Sequence, residues 1–550
     1  MLQLIYQDRP IENRSDALHL AGTAGETIAL KFDINSDATI DDFRVTVDVS
    51  RSPNSPVDFT DPGITQTDWC AETFVVKTWQ SAGIGIYQAE AMLVDELLVK
   101  DDRLELKDSY RSKIQNWREI LKPSKFYKGP EIASHKDART KVLAGESKKF
   151  YARIKIPPHI KEGHYSAHIT CQSGKETLQT IPVSIDIAPI SLITPPHTFF
   201  LWYKGRLNPR CPQHFVSESL FRLQLQDIRD HGFNCISLTE TDTSTAQRAI
   251  NIAEEIGFEK IVLPPPFPEL TKLCFKKAQP IIYLSDELDT RIEFPGSDSP
   301  EALIGHHQQN WKRARTVEKA KTLVSLVSHT FTKRLQNETD IGHCADIISL
   351  YLNRNREFFQ FTEQLQNSTS SQFFYYWQCY MEKPNLNRVL AGTYLWKSGA
   401  AGISPYCYQH MPVYPNSPFN DFDEWEPDFH EGGINRPFKD HMTTYPSRDG
   451  IIPTLQWEAL RDGITDFKYW FTLHHWLEKA LASENREARE YASEARTRTN
   501  KILSRINLIT ISINSETELE PYQSIEPHEY DHFRNEIRND IVALSRLLHT

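Results

Sequence analysis

Over the first 190 residues, apolar side chains recur at every second position or in short runs. Thr27–Phe32, Phe43–Val49, Thr73–Thr78 and Tyr87–Val94 read this way, with turn residues between them. The pattern resumes at Phe150–Ile156, Gly163–Cys171 and Thr177–Ile187. A period of two predicts strands with one buried face, and about seven or more of them predict a β-sandwich. Between about 99 and 148 lies a charged insert. Its stretch LKDSYRSKIQNWREILKP carries neither a clear strand period nor a helix cap. Pro195-Pro196 then marks a boundary.

Beyond that boundary the rhythm changes. Short runs that are apolar at both parities alternate with helical stretches: Phe199–Tyr203, Phe233–Leu238, Lys260–Leu263, Ile281–Leu284, Thr322–Leu326, Asp346–Tyr351, Phe373–Trp377 and Gly402–Tyr406. Strands buried on both faces look like this. Eight of them, with helices such as SESLFRLQLQDIRDHG, TAQRAINIAEEIG, FPELTKLCFKKA and Phe358–Gln366 between, predict a (β/α)8 TIM-type barrel. An irregular stretch, Cys407–Gly450, follows strand eight, and from Pro453 the chain reads as helix almost to its end. The expected organisation is a multidomain α/β and all-β chain. It has an N-terminal β-sandwich (1–192), a catalytic barrel (193–450) and a C-terminal helical region (451–550).

Composition narrows the function. With 39% apolar and 25% charged residues the 550-residue chain can bury large cores, and no apolar run approaches a membrane span. The net charge of −11, without a long basic run, speaks against nucleic acid. Eight scattered cysteines without CxxC pairs predict reduced thiols. MLQLIYQDRPIENRSD places an acid and a proline where a signal peptide needs an apolar run, so a cytoplasmic location is expected. No HExxH, calcium-loop or phosphate-loop pattern occurs, so neither a metal nor a cofactor is expected. Aromatics reach 11%, which suits either a large core or a sugar-binding cleft. On the second reading the expected partner is a glycan, without nucleic acid or membrane; homo-oligomerisation stays open.

Candidate chemistry sits where strand four ends, at Ile281-Ile282-Tyr283-Leu284-Ser285-Asp286-Glu287. Barrel enzymes work at the ends of their strands, and adjacent carboxylates raise each other's proton affinity. One of the pair can then stay protonated as the general acid that glycoside cleavage needs. Alternatively, Asp286 caps the next helix and Glu287 is merely solvated. Strand seven, Phe373-Phe374-Tyr375-Tyr376-Trp377-Gln378, offers no second carboxylate as nucleophile, and Glu382 is a weak candidate. An acid pair without a separate nucleophile suits attack by the substrate's own 2-acetamido oxygen. In that scheme Glu287 is the acid/base and Asp286 orients the acetamide. An inverting scheme would need a distant base such as Asp421, Asp423 or Glu382.

Three segments resemble glycoside hydrolase family 123: the Asp286-Glu287 pair, the run Tyr445-Pro446 through Arg461-Asp462-Gly463-Ile464-Thr465-Asp466, and IPPHIKEGHYSAHITC in the β region. The resemblance spans most of the chain. It implies a retaining β-N-acetylgalactosaminidase working through an oxazoline intermediate. It also implies aromatic subsites: Tyr375 or Tyr376 on the acetamide oxygen, with Trp377 and Trp202 as walls. Tyr406 or Tyr408 would replace the usual strand-eight Trp; Trp425, in the long loop, either closes over the sugar or belongs to a solvated acidic loop. The chain departs from the family at Gln456, where an Arg is usual. Two alternatives stay open: a β-galactosidase-like or inverting hydrolase of a sugar without an acetamide, and an inactive carbohydrate-binding protein.

Overall fold

The computed structural model describes residues 2–6, 9–11, 18–50, 69–81, 92–102, 137–210, 214–293, 299–327, 345–352, 370–379, 381, 383–409, 442–447, 450–506 and 527–549. Two sheets form the N-terminal part. One orders Arg9–Ile11, Leu2–Tyr6, Thr27–Ser36, Ser147–Lys155, Cys70–Ser81 and Met92–Val99. The other orders Leu18–Gly22, Glu176–Ile187, Gly163–Ser173, Ile40–Ser50 and Ala138–Val142. In Thr27–Ser36 alternate residues, Ile28, Leu30, Phe32 and Ile34, are buried. Phe32 stacks on Phe150 with centroids 5.6 Å apart, and Phe43 meets Phe150 at 5.8 Å. Part of the charged insert, read at about 99–148, is strand. Its end supplies the edge strand Ala138–Val142, paired antiparallel with Ile40–Ser50, while 103–136 lie outside the described residues.

Eight parallel strands close into a barrel: Thr198–Leu201, Cys235–Ser237, Lys260–Leu263, Gln279–Ser285, Lys321–Leu326, Ile347–Tyr351, Gln372–Tyr376 and Gly402–Ile403. The first pairs with both the second and the eighth, so no edge remains. Successive residues alternate between the barrel interior and its outer wall. Phe200, Val262, Ile281, Tyr283, Leu323 and Phe374 fill the interior. Phe199, Leu201, Ile282, Val324, Phe373 and Tyr375 join the outer core. Gly402 leaves room for strand one, since a Cβ there would lie 2.4 Å from the Thr198 carbonyl oxygen. One connection differs from the sequence reading: FPELTKLCFKKA forms only a single 3-10 turn, Leu270–Lys272. The expected helix Phe358–Gln366 lies outside the described residues.

The helix Leu455–Leu481, capped by Thr454, is the keystone of the C-terminal part. Arg461 and Asp466 are both buried. Glu458 accepts hydrogen bonds from Arg461 and from Arg153 at 2.9 Å, and lies 3.6 Å from His231. Sheet, barrel helix (Glu218–Asp230) and C-terminal helix therefore meet at one carboxylate. Burial raises the Glu458 pKa, but Arg461 and Arg153 outweigh it and hold the carboxyl well below its ordinary range. Asp466 similarly joins Arg388 (2.7 Å) and Arg534 (2.6 Å). Gly463 allows the closest approach: a Cβ there would meet the Arg388 carbonyl oxygen at 2.4 Å, and one on Gly392 would meet the Gly463 carbonyl oxygen at 2.6 Å. Gln456 is buried and donates to Glu96 at 2.9 Å.

Candidate active site

At the C-terminal ends of the barrel strands opens a cavity of about 760 Å³. Every strand contributes to its wall: Trp202, Thr239, Pro264, Asp286 with Glu287, Ser325, Ser349, Tyr376 and Ser404 follow in barrel order. Lys204, Arg206, His214, Arg291, His306 and Tyr406 complete the polar and aromatic rim.

Asp286 and Glu287 converge because the chain turns between them. Glu287 adopts a left-handed backbone, φ +43°. A residue with a Cβ pays on the order of 1–2 kcal/mol for that conformation. The turn is held by the Glu287 amide, which donates to Ser325 Oγ at 2.8 Å, and by Asp289, which accepts from the Val327 amide through both oxygens. Without the turn, neighbouring side chains would point to opposite faces.

The two carboxylates have different surroundings. Asp286 Oδ1 accepts from Tyr283 at 2.5 Å and from Ser325 at 3.2 Å; Oδ2 meets Arg291 at 3.3 Å. Asp286 is more than half exposed, whereas Glu287 is half-buried. Tyr376 donates to Glu287 Oε1 at 2.8 Å. Burial raises the Glu287 pKa above the ordinary carboxylate range. The Tyr376 hydrogen bond opposes that shift, and the charges of Asp286 and Asp289 add to it. One carboxyl is thus held toward its acid form beside a second whose acceptor atoms are fixed in place. Such a pair can donate a proton and orient a polar hydrogen.

The aromatic expectations divide by parity. Trp202, Tyr376 and Tyr406 line the cavity. Trp202 meets Tyr283 edge-on at 5.0 Å and Tyr406 at 6.5 Å. Tyr375 and Trp377 do not reach it. They occupy the opposite face of strand seven, fully buried, where Tyr375 donates to the Leu390 carbonyl and Trp377 to Asn387. Tyr408 also packs outside the barrel, donating to Asp227 beside Trp457. Trp425, Glu382, Asp421 and Asp423 lie outside the described residues.

Tyr283, Ser325 and Arg291 escaped the sequence reading. Ser325 had a signal: it is a hydroxyl set between the apolar Val324 and Leu326 near the end of a strand. Ser349, in Ile348-Ser349-Leu350, carries the same mark and bonds Ser404 across the cavity floor at 2.9 Å. Among the described residues, no group of three or more His, Cys, Asp or Glu side chains converges as a metal site would need. No helix among them is long and apolar enough to cross a membrane.

No protein-family model matches the chain, and no curated protein matches it. Among solved structures it is similar to a family 123 glycoside hydrolase from Clostridium perfringens, studied for glycolipid glycan hydrolysis. The TM-score is 0.59 at 11% identity, over 96% of this chain and 95% of that one. A Bacteroides ovatus family 5 xyloglucanase matches over 84% of this chain and 100% of its own at 8% identity, but its TM-score of 0.31 is too low to speak for the fold. The chain therefore shares, at a distance, the architecture of a glycoside hydrolase.

Proposed function

We propose that this chain is a distant member of the family 123 type of glycosidase. On this reading it releases a terminal β-linked N-acetylhexosamine, N-acetylgalactosamine foremost, with retention. The observation that carries the proposal is the convergence of Asp286 and Glu287 on one cavity, where burial raises the proton affinity of Glu287. Glu287 protonates the glycosidic oxygen as the acetamide oxygen of the same sugar attacks the anomeric carbon. The C–O bond to the leaving group breaks and an oxazoline forms. Asp286, its Oδ1 held by Tyr283 and Ser325, accepts the acetamide N–H and offsets the positive charge. Glu287, now ionised, takes a proton from the water that opens the oxazoline. Trp202 and Tyr406 form the apolar wall for the sugar ring. The regions 1–192, 193–450 and 451–550 serve as sandwich, catalytic barrel and helical buttress.

The test is a panel of aryl glycosides on the full chain. Cleavage of the aryl β-N-acetylgalactosaminide, inhibited by a thiazoline that mimics the oxazoline, is the expected result. Activity on the β-galactoside but not its acetamido analogue would overturn the mechanism. Sugar binding without turnover of any glycoside would overturn the enzyme reading.

A further inference from the structure

We propose that the same cavity contains a subsite for an anionic substituent on the glycan, a sulfate ester or a uronate carboxylate, formed by Lys204 and Arg206. The choice of glycan probes rests on the glycosidase reading; the subsite itself rests on charge and geometry.

Three cations line the cavity beside Asp286 and Glu287. Arg291 is matched to Asp286. Lys204 contacts a ring and Arg206 a hydroxyl, and neither makes an ion pair among the described residues, in a chain whose acids outnumber its bases 73 to 62. Both are half-buried. Two like charges in one cavity, neither in an ion pair, make a field that draws an anion.

Both side chains are also held in place. Lys204 Nζ lies 5.1 Å from the centroid of the Tyr406 ring, a contact that orients the ammonium without neutralising it. The Arg206 backbone is pinned by its amide to the His214 carbonyl (2.7 Å) and by the Val216 amide to its own carbonyl (2.9 Å). Its Nε donates to Thr239 Oγ1 at 3.1 Å, and both Nη atoms lack a partner among the described residues. The acid that feels Arg206 is Glu240, beyond ion-pair distance, whose carboxyl burial pushes upward. A fixed guanidinium fork with free Nη atoms suits a planar carboxylate or a sulfate.

The placement suits a substituted sugar. Lys204 and Arg206 follow strand one, while Asp286 and Glu287 follow strand four. A ring laid along Trp202 and Tyr406 has the acid pair near Tyr283 at one end and the Lys204 ammonium at the other.

The test is calorimetric binding to the full-length Glu287→Gln protein. Three probes are compared: the methyl β-glycoside of N-acetylgalactosamine, its 6-sulfate, and N-acetylgalactosamine β-linked to glucuronic acid. The expected result is that an anionic probe binds about tenfold or more tightly than the neutral one, with an advantage that shrinks as salt rises. The sulfate and uronate arms identify the source. Adding Lys204→Met or Arg206→Met removes most of the advantage, and Lys204→Arg retains it. Should Lys204→Met misfold, the Arg206→Met and Lys204→Arg comparisons still decide. Equal or tighter binding of the neutral probe, no binding of either anion, or an advantage that survives both Met substitutions would overturn the subsite. Preference for an anion without turnover of any glycoside by the wild type would keep the subsite and reject the glycosidase reading.

Discussion

Replacing Gly463 by alanine adds one methyl group at the tightest contact between the keystone helix and the Pro384–Ser398 helical segment. That methyl would lie 2.4 Å from the Arg388 carbonyl oxygen and 2.8 Å from Ala391 Cβ. The first of these atoms is backbone and cannot rotate away. Relief requires the two helical segments to separate, although Gly392, the facing glycine, also approaches to 2.6 Å. Overpacking of this kind costs about 1–3 kcal/mol, and a backbone obstacle places it at the upper end. Alanine returns about 1 kcal/mol through its helix propensity. The net expectation is a loss of about 2 kcal/mol, or roughly 4–8 °C in Tm by the scaling for domains of 150–250 residues. Thermal unfolding followed by circular dichroism measures it, with aryl-glycoside kcat/KM read well below the transition. Gly463 lines no part of the cavity, so kcat/KM of the folded protein should change less than about twofold. The Gly463→Ala/Gly392→Ala pair should cost less than the sum of its members, because one separation relieves both contacts. An unchanged Tm, or activity lost while the fold stays intact, would refute the assignment of this segment to packing.

Removing the Tyr376 hydroxyl as phenylalanine takes away a hydrogen bond that favours ionised Glu287, so the alkaline limb of kcat/KM against pH should move upward; a limb that stays or falls would contradict it. Glu287 has a raised pKa in the fold, so its contribution to stability is present below its unfolded pKa and is lost as pH rises through the folded value. Glu287→Gln never ionises and should therefore unfold at a higher Tm than wild type above that value, with the gap closing in acid, as calorimetry at two pH values would record. Arg461→Met leaves buried Glu458 short of its main counter-charge and should cost about 3–5 kcal/mol in urea-unfolding measurements.

The barrel was legible because strands buried on both faces leave short apolar runs that a turn-rich or helical stretch separates. Among the described connections, FPELTKLCFKKA was read wrongly, though it has the composition of a helix. It is opened by Pro264-Pro265-Pro266 and shortened to the turn Leu270–Lys272, and tertiary context overrode its propensity. Of the cavity lining, the acids were legible in the sequence and the rings only half so. Strand alternation separates Tyr376 from Tyr375 and Trp377, but parity alone does not say which set faces inward. Phe374 supplies that answer by joining the barrel interior. Tyr408 carried no such marker, because past the end of strand eight the chain leaves the barrel and its ring caps Asp227 instead. Arg291 comes from a short helix, Leu288–Glu293, beyond the strand and has no periodic signature. The Tyr445–Phe467 segment was visible as a motif, but its work is to bury Glu458, Arg461 and Asp466 at the junction of sheet, barrel and helices.

The central claim is that Glu287 is the acid and base of a glycosidase. Its most direct test is kcat on an aryl β-N-acetylgalactosaminide for the wild type and Glu287→Gln, with the fold of the variant checked by its Tm. The account predicts that the wild type cleaves this substrate and that the variant loses about 10²–10⁴-fold in kcat. A variant that keeps the wild-type kcat would contradict it.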